Sequence, residues 1–122
     1  MNSETIERVL RDKQLAALGD AFVNFIYSLA LTKLSGQPEG TKVSDRILSE
    51  AFRLAGLRGH VGSRLSRKDL ANAAESLLAQ AYRKRLISID ESVEVITQSL
   101  NGPNEGLSNL LKLAAERITK PS

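Results

Sequence analysis

The fold is decided by one stretch near the N-terminus, Leu15-Ala16-Ala17-Leu18-Gly19-Asp20-Ala21-Phe22, whose apolar pattern continues through Phe25 and Leu29. Apolar residues recur here at spacings of three and four, as they do on one face of an α-helix. Gly36 and Pro38 follow, and residues of both types commonly end helices. The sequence therefore predicts a long apolar helix over this segment, the longest helix of the chain.

The same spacing continues along the rest of the chain, and no sustained alternation of β-branched residues indicates a strand. Residues that cap helix N-termini precede the other helical segments. They are Ser3 or Thr5, Ser44, Ser66 and Ser88, the last two as capping boxes. A final helix is predicted over residues 104–119. We therefore predict an all-α helical bundle that forms a single domain over residues 1–122.

Composition narrows the classes of function. The 122 residues include no cysteine and one histidine, His60, which excludes disulfides, thiolate metal sites and clusters of histidine ligands. The N-terminus lacks the pattern of a secretion signal, and no window reaches about 18 unbroken apolar residues. We therefore expect a cytoplasmic protein with no membrane partner. The formal net charge of +3 suits an anionic partner but does not require one.

Two acidic residues stand inside apolar helical segments. Asp20 follows Gly19, a residue that costs about 1 kcal/mol relative to alanine inside a helix but permits close approach of another backbone or a ligand. Glu75 follows Asn72 by three residues, so both lie on one helix face and can face a cation together. Taken alone, each feature is more typical of an exposed or paired side chain than of a ligand.

In this order along the chain, the two features resemble ribonuclease III. The segment Leu15 to Ala21 is similar to the family's signature helix, whose Leu-Gly-Asp-Ala core presents a metal-binding aspartate, here Asp20. The segment Leu70 to Tyr82 is similar to the second acidic helix, in which Glu75 stands at the central catalytic ligand. The resemblance covers roughly residues 15–96 and implies the helical bundle of the ribonuclease III endonuclease domain.

The resemblance also implies a metal site and an activity. Asp20 and Glu75 are the implied catalytic residues, and Mg²⁺ or Mn²⁺ is the implied cofactor, because hard cations prefer oxygen ligands. Glu39 lies in a loop that is similar to the one supplying a further acidic ligand, and Asn72 is predicted to offer a neutral amide oxygen. The implied function is hydrolysis of double-stranded or structured RNA by a metal-dependent endoribonuclease.

Two positions depart from the family pattern. The family usually has a glutamate one turn before the signature aspartate, where this chain has Ala16, and an aspartate where this chain has Asn72. Mini-ribonuclease III, a short bacterial form without a separate RNA-binding domain, also departs at these positions and is an enzyme. The sequence therefore leaves a second function open, a non-catalytic RNA-binding protein or ribonucleoprotein component of the same fold. A helical dimer without a nucleic-acid role is a third alternative.

Basic residues near the two acidic segments are the predicted RNA contacts. The family meets RNA mainly through phosphates and 2′-hydroxyls, so positive charge is expected around the acidic site. The candidates are Arg46, Arg58, Arg64, Arg67 and Lys68. The resemblance further implies a homodimer formed through the apolar signature helix.

Overall fold

Six α-helices and one short 3₁₀ turn account for the regular structure of residues 5–120, the part of the chain that the computed structural model describes. In chain order the helices are α1 (Ile6–Leu10), α2 (Lys13–Ser35), α3 (Asp45–Leu54), α4 (Arg67–Arg83), α5 (Ile89–Gln98) and α6 (Pro103–Thr119), with the 3₁₀ turn Arg58–His60 between α3 and α4. The predicted all-α fold is confirmed, and the helices pack as a single compact domain.

Local sequence explains where most of the helices begin. The hydroxyls of Thr5, Ser44 and Ser66 accept hydrogen bonds from backbone N–H groups in the first turns of α1, α3 and α4, and at α4 the bond is reciprocal. Ser3, the other predicted cap of α1, lies outside the described residues. The start of α2 has a cap that no sequence pattern singled out, Asp12, whose carboxylate accepts two N–H groups at 2.9 and 3.0 Å.

The start of α5 differs from the predicted capping box. Ser88 caps the helix, but Glu91 does not bond back to the backbone of the cap. Its carboxylate instead accepts two hydrogen bonds from the Arg117 guanidinium of α6, at 2.7 and 2.9 Å. A charged bidentate pair is stronger than a single bond to a backbone N–H, so contact with α6 decides where this side chain lies.

The close packing of α2 against α4 positions the predicted acidic residues. Nearly every residue of α4 from Leu70 to Ala81 is buried, which makes it the central helix of the bundle. Gly19 of α2 rests directly on this helix, because a Cβ built at Gly19 would overlap the backbone carbonyl of Glu75. Only glycine allows the two helix backbones to approach so closely. The predicted signature helix and second acidic helix are therefore neighbours.

By length and composition alone, α2 is long and apolar enough to cross a lipid bilayer. The core helix of a helical bundle passes the same test. In this structure 44% of the most apolar window of α2 is buried in the bundle, and the middle of the helix carries the polar residues Asp20 and Asn24. We therefore interpret α2 as the core helix of the domain.

Candidate metal-binding active site

An open cavity of about 460 Å³ lies beside the contact between α2 and α4. The first residue of α3 also lines this cavity. Acidic, basic and neutral side chains share its wall. The acidic ones are Asp20, Asp45 and Glu75, the basic ones are Lys13, Lys42 and Lys68, and the neutral ones are Ala16, Ala17 and Asn72. The two principal ligands predicted from the sequence thus line the same cavity.

Two carboxyl groups share a hydrogen bond in this cavity. The Glu75 residue is only 6% exposed, and its side chain is hydrogen-bonded to that of Asp20. Such a bond requires that one of the two groups keep its proton. Burial, followed by the hydrogen bond and the negative charge of Asp20, raises the pKa of Glu75 from 4.5 to about 8. Glu75 is therefore the donor and Asp20 the acceptor at neutral pH.

Polar neighbours hold Asp20 in its carboxylate form. The Lys42 ammonium donates to Oδ1 and Oδ2 at 3.1 and 3.4 Å, and the Asn24 amide donates to Oδ1 at 3.3 Å. Chiefly through the bond to Lys42, these contacts lower the pKa of Asp20 below its ordinary value of 3.8. One proton and one ammonium group thus balance the two carboxyl groups, which titrate as a coupled pair.

The raised pKa of Glu75 predicts that the protein loses stability as the pH rises from about 5 to about 8.5. The folded protein keeps a proton there that the unfolded chain has released, because the unfolded pKa is 4.5 and the folded pKa is about 8. This contribution is complete below the unfolded pKa and is lost as the pH passes through the folded pKa. Thermal unfolding in chelator across this pH range measures it. Glu75→Gln, which has no proton to lose, should reduce the slope, and an unchanged slope would contradict the assignment.

The structure brings Asn72 to the cavity but does not bring Glu39 there. The backbone N–H of Glu39 donates to Oγ1 of Thr32 at 2.9 Å, three helical turns, or about 18 Å, along α2 from Asp20. Asp45 lines the cavity instead, as the first residue of α3. An acidic residue at a helix N-terminus is common because it interacts favourably with the helix dipole, so no sequence pattern marks Asp45 as a site residue.

Among the predicted RNA contacts, Lys68 is the one that lines the cavity. Lys13 and Lys42 line it as well, although no sequence pattern indicates either of them. A single lysine within a helix or loop is usually a solvated surface residue, so only its position in the fold distinguishes it. The cavity therefore combines carboxyl groups with three ammonium groups that can attract phosphate.

The four predicted arginines lie outside this cavity. Arg58 donates to a backbone carbonyl oxygen four residues later, at 2.9 Å, and so stabilises the connection between α3 and α4. Arg46 forms an exposed ion pair within α3, with a separation of 3.7 Å. Arg64 lies just before α4 and Arg67 is its first residue, and both are exposed. The arginines thus contribute to the outer surface around α3 and α4, where their contact with RNA stays a prediction.

The donor atoms of the cavity fit one hard cation that a substrate would complete. Among residues 5–120, no group of three or more acidic or histidine side chains is arranged to hold a metal ion by itself. Ala16 is apolar and buried, and Asn72 is neutral, so Asp20 and Glu75 are the central charged donors. Mg²⁺ is usually bound by one or two carboxylates together with water and substrate phosphates. This donor set has that composition.

Most of the chain matches one known protein family. A family model described as Ribonuclease III matches residues 13–119. The chain belongs to the ribonuclease III family. The match includes α6 and so extends beyond residues 15–96, over which the sequence motifs carry the resemblance. No curated protein matches the chain.

Membership of the ribonuclease III family implies RNA binding and a nuclease-like role in RNA processing. The residues that carry the resemblance in the sequence are those that meet in space. Gly19 provides the close contact of α2 with α4, and Asp20 and Glu75 meet beside that contact. The two segments that resemble ribonuclease III motifs therefore meet at one cavity.

Proposed function

We propose that this ribonuclease III family protein is a metal-dependent endoribonuclease that hydrolyses double-stranded or structured RNA. The observation that carries this proposal is the hydrogen-bonded carboxyl pair of Asp20 and Glu75 in a cavity lined by three lysines. A buried acid with a strongly shifted pKa inside a cleft is typical of functional sites. Nearby ammonium groups suit a polyanionic substrate.

In this mechanism Asp20 and Glu75 would hold Mg²⁺ or Mn²⁺, while Asn72 and Asp45 would orient water from the same cavity wall. When bound, the cation supplies positive charge that neutralises the phosphate and helps water to act as a nucleophile. To accept a cation, Glu75 must release its proton and Asp20 must exchange its bond to the Lys42 ammonium. Without a cation, the proton of Glu75 and the ammonium group of Lys42 thus balance the charge of the two carboxyl groups.

The test is incubation of the purified protein with long double-stranded RNA in Mg²⁺, in Mn²⁺ and in chelator. We expect shorter fragments in either metal and intact RNA in chelator. The doubly substituted protein, with Asp20→Asn and Glu75→Gln and purified in parallel, controls for contaminating nucleases. Intact RNA under every metal condition would contradict the proposal.

A non-catalytic RNA-binding role is the second candidate function, and the neutral residues Ala16 and Asn72 favour it because both reduce the charge available to hold metal ions. Binding of RNA without cleavage in the same experiment would support this candidate. In that case neutralising Asp20 and Glu75 would leave the RNA affinity nearly unchanged, since neither carboxyl group would have a metal to hold.

We also propose that the protein acts as a homodimer through an apolar stripe on α2. Leu18, Phe22, Phe25 and Leu29 recur at spacings of four, three and four, and Leu18 and Phe25 are 47% and 53% exposed. Tyr82 of α4 extends the stripe, because its ring packs on that of Phe22 with centroids 4.8 Å apart. A second copy presents the same stripe, so a two-fold axis across α2 would bury both copies of it at once.

Phe25→Asp is expected to convert the dimer to a monomer, because a charge would be buried at the centre of the stripe. A central aromatic residue of an interface contributes about 2 kcal/mol or more, so the dissociation constant should rise at least about 30-fold. Analytical ultracentrifugation over a range of concentrations measures this. Leu54→Asp, at a 66% exposed leucine on α3, is the matched control. A wild-type protein that stays monomeric throughout would refute the dimer.

A further inference from the structure

The segment between α2 and α3 is anchored along α2 by a ladder of hydrogen bonds. Every second backbone N–H of residues 39–43 donates to a side-chain oxygen of α2, each time one helical turn closer to the N-terminus of that helix. The three bonds, of 2.8 to 2.9 Å, join Glu39 to Thr32, Thr41 to Ser28 and Val43 to Asn24. The Thr32 and Ser28 hydroxyls also donate to the carbonyl oxygens of their partners, at 3.3 and 3.2 Å.

These hydrogen bonds position Lys42 beside Asp20. Lys42 lies between two anchored residues, and Asp20 is the next position, one helical turn beyond Asn24, in the row of α2 residues that form the ladder. The Lys42 ammonium reaches both carboxylate oxygens of Asp20 although the Lys42 side chain is 73% exposed. An exposed ion pair adds little stability to a protein. The stability that this ion pair adds therefore does not by itself explain why Lys42 lies beside Asp20.

The cavity has fewer anionic donors than two metal ions would need. When water attacks a phosphodiester, negative charge develops at the attacking and the leaving oxygens, and two-metal nucleases place one cation near each. Here Asp20 and Glu75 suit one cation, and Ala16 and Asn72 bring no charge to hold another. Asp45 is a third acidic residue of the cavity wall, but among residues 5–120 no three acidic side chains are arranged to hold a metal ion together. The ammonium of a lysine is a compact point charge that can neutralise a phosphate oxygen.

We propose that Lys42 is a catalytic residue, whose ammonium leaves Asp20 when a metal ion binds and then contacts the scissile phosphate in place of a second metal ion. This inference rests on the proposed nuclease function. In the reaction a water oxygen bonds to phosphorus as the bond from phosphorus to the leaving ribose oxygen breaks. The water releases a proton to solvent, and the leaving oxygen takes one up. Lys42 forms no covalent bond and neutralises charge on the phosphate.

The experiment compares the wild type with Lys42→Met, Lys42→Arg and the control Lys33→Met. Lys33 is exposed in the last turn of α2 and does not line the cavity, so its substitution removes the same charge elsewhere. The first readout is the single-turnover rate of RNA cleavage in saturating Mg²⁺. The second is the affinity for Mn²⁺ alone, titrated without RNA.

The two readouts should move in opposite directions for Lys42→Met. Cleavage should slow about 100-fold, because a charge that stabilises the transition state is lost. Mn²⁺ should bind about fivefold more tightly, because no ammonium competes for Asp20. Lys42→Arg should recover much of the rate, and Lys33→Met should match the wild type in both readouts.

Three results would overturn the proposal, and each is distinct. Cleavage by Lys42→Met at the wild-type rate or faster would show that the lysine only occupies the metal position. A parallel loss of cleavage and Mn²⁺ affinity would show a structural role. A wild-type protein that cleaves no RNA would refute the proposed function itself, and that result would be evident before any variant is compared.

Discussion

Asp20→Asn and Glu75→Gln are each expected to slow RNA cleavage by about 1,000-fold or more at saturating Mg²⁺. Holding a divalent cation at the reacting phosphate supplies several kcal/mol of transition-state stabilisation, and each 1.36 kcal/mol corresponds to a factor of ten in rate. Either substitution removes half of the charged donor set while keeping the size of the side chain. Single-turnover cleavage of a double-stranded RNA, with each variant compared at equal protein concentration, measures the loss.

Controls for this prediction come from the other two acidic residues considered for the site. Glu39→Gln should cleave at the wild-type rate, because the structure places Glu39 three helical turns along α2 from Asp20. Asp45→Asn should have an intermediate effect, because Asp45 lines the cavity and its negative charge acts on Glu75 less strongly than that of Asp20. Cleavage at the wild-type rate by Asp20→Asn or Glu75→Gln, or a large loss of cleavage in Glu39→Gln, would contradict the proposed site.

Gly19→Ala is expected to destabilise the protein by about 3 kcal/mol or more, although alanine is the better helix former by about 1 kcal/mol. The added methyl group would overlap the backbone carbonyl of Glu75, so α2 and α4 would have to separate. Neither backbone can yield as a flexible side chain could. Since a domain of this size is stable by about 5–15 kcal/mol in total, urea denaturation should show a large shift of the midpoint.

Two other glycines make this prediction specific. A Cβ at Gly106 would overlap the backbone of Ile96, so Gly106→Ala should also be destabilising, but at a contact between α6 and α5, neither of which lines the cavity. A Cβ at Gly40 would meet open space, and Gly40→Ala should be neutral. At temperatures where all three variants are folded, only Gly19→Ala should lose cleavage, because it displaces Glu75. A stable Gly19→Ala protein would refute the close contact.

One proton and one ammonium group allow the two carboxyl groups to lie together in the folded protein without a metal ion. If both carboxyl groups were ionised, they would repel each other strongly, because they are in contact and Glu75 is buried. The proton on Glu75 removes one negative charge, and the Lys42 ammonium balances the other. The metal ion proposed for this site would have to displace both, so its binding is expected to release a proton and to strengthen as the pH rises.

Most of the helices could be predicted from the sequence because their signals are local. Periodic apolar residues and the caps Thr5, Ser44 and Ser66 act through contacts within a few residues, and the structure confirms them. The capping box at Ser88 fails because Glu91 has a stronger partner in α6. Wherever a distant partner competes with a local one, the local pattern alone is not sufficient.

The sequence by itself determined the all-α fold, the ribonuclease III resemblance, and Asp20 and Glu75 as the residues to examine. It could do so because Gly19 and the two acids are unusual inside apolar helices, and an unusual residue carries information without knowledge of its neighbours. The shared proton, the approach of Asp45 and Lys42, and the distant position of Glu39 were decided only by the tertiary structure. The shared proton follows from the close contact of α2 with α4 at Gly19, 56 positions before Glu75 in the chain. The positions of Glu39, Lys42 and Asp45 follow from the path of residues 39–43, which is set by hydrogen bonds to α2 between residues 7 to 19 positions apart, too distant for any local pattern to encode.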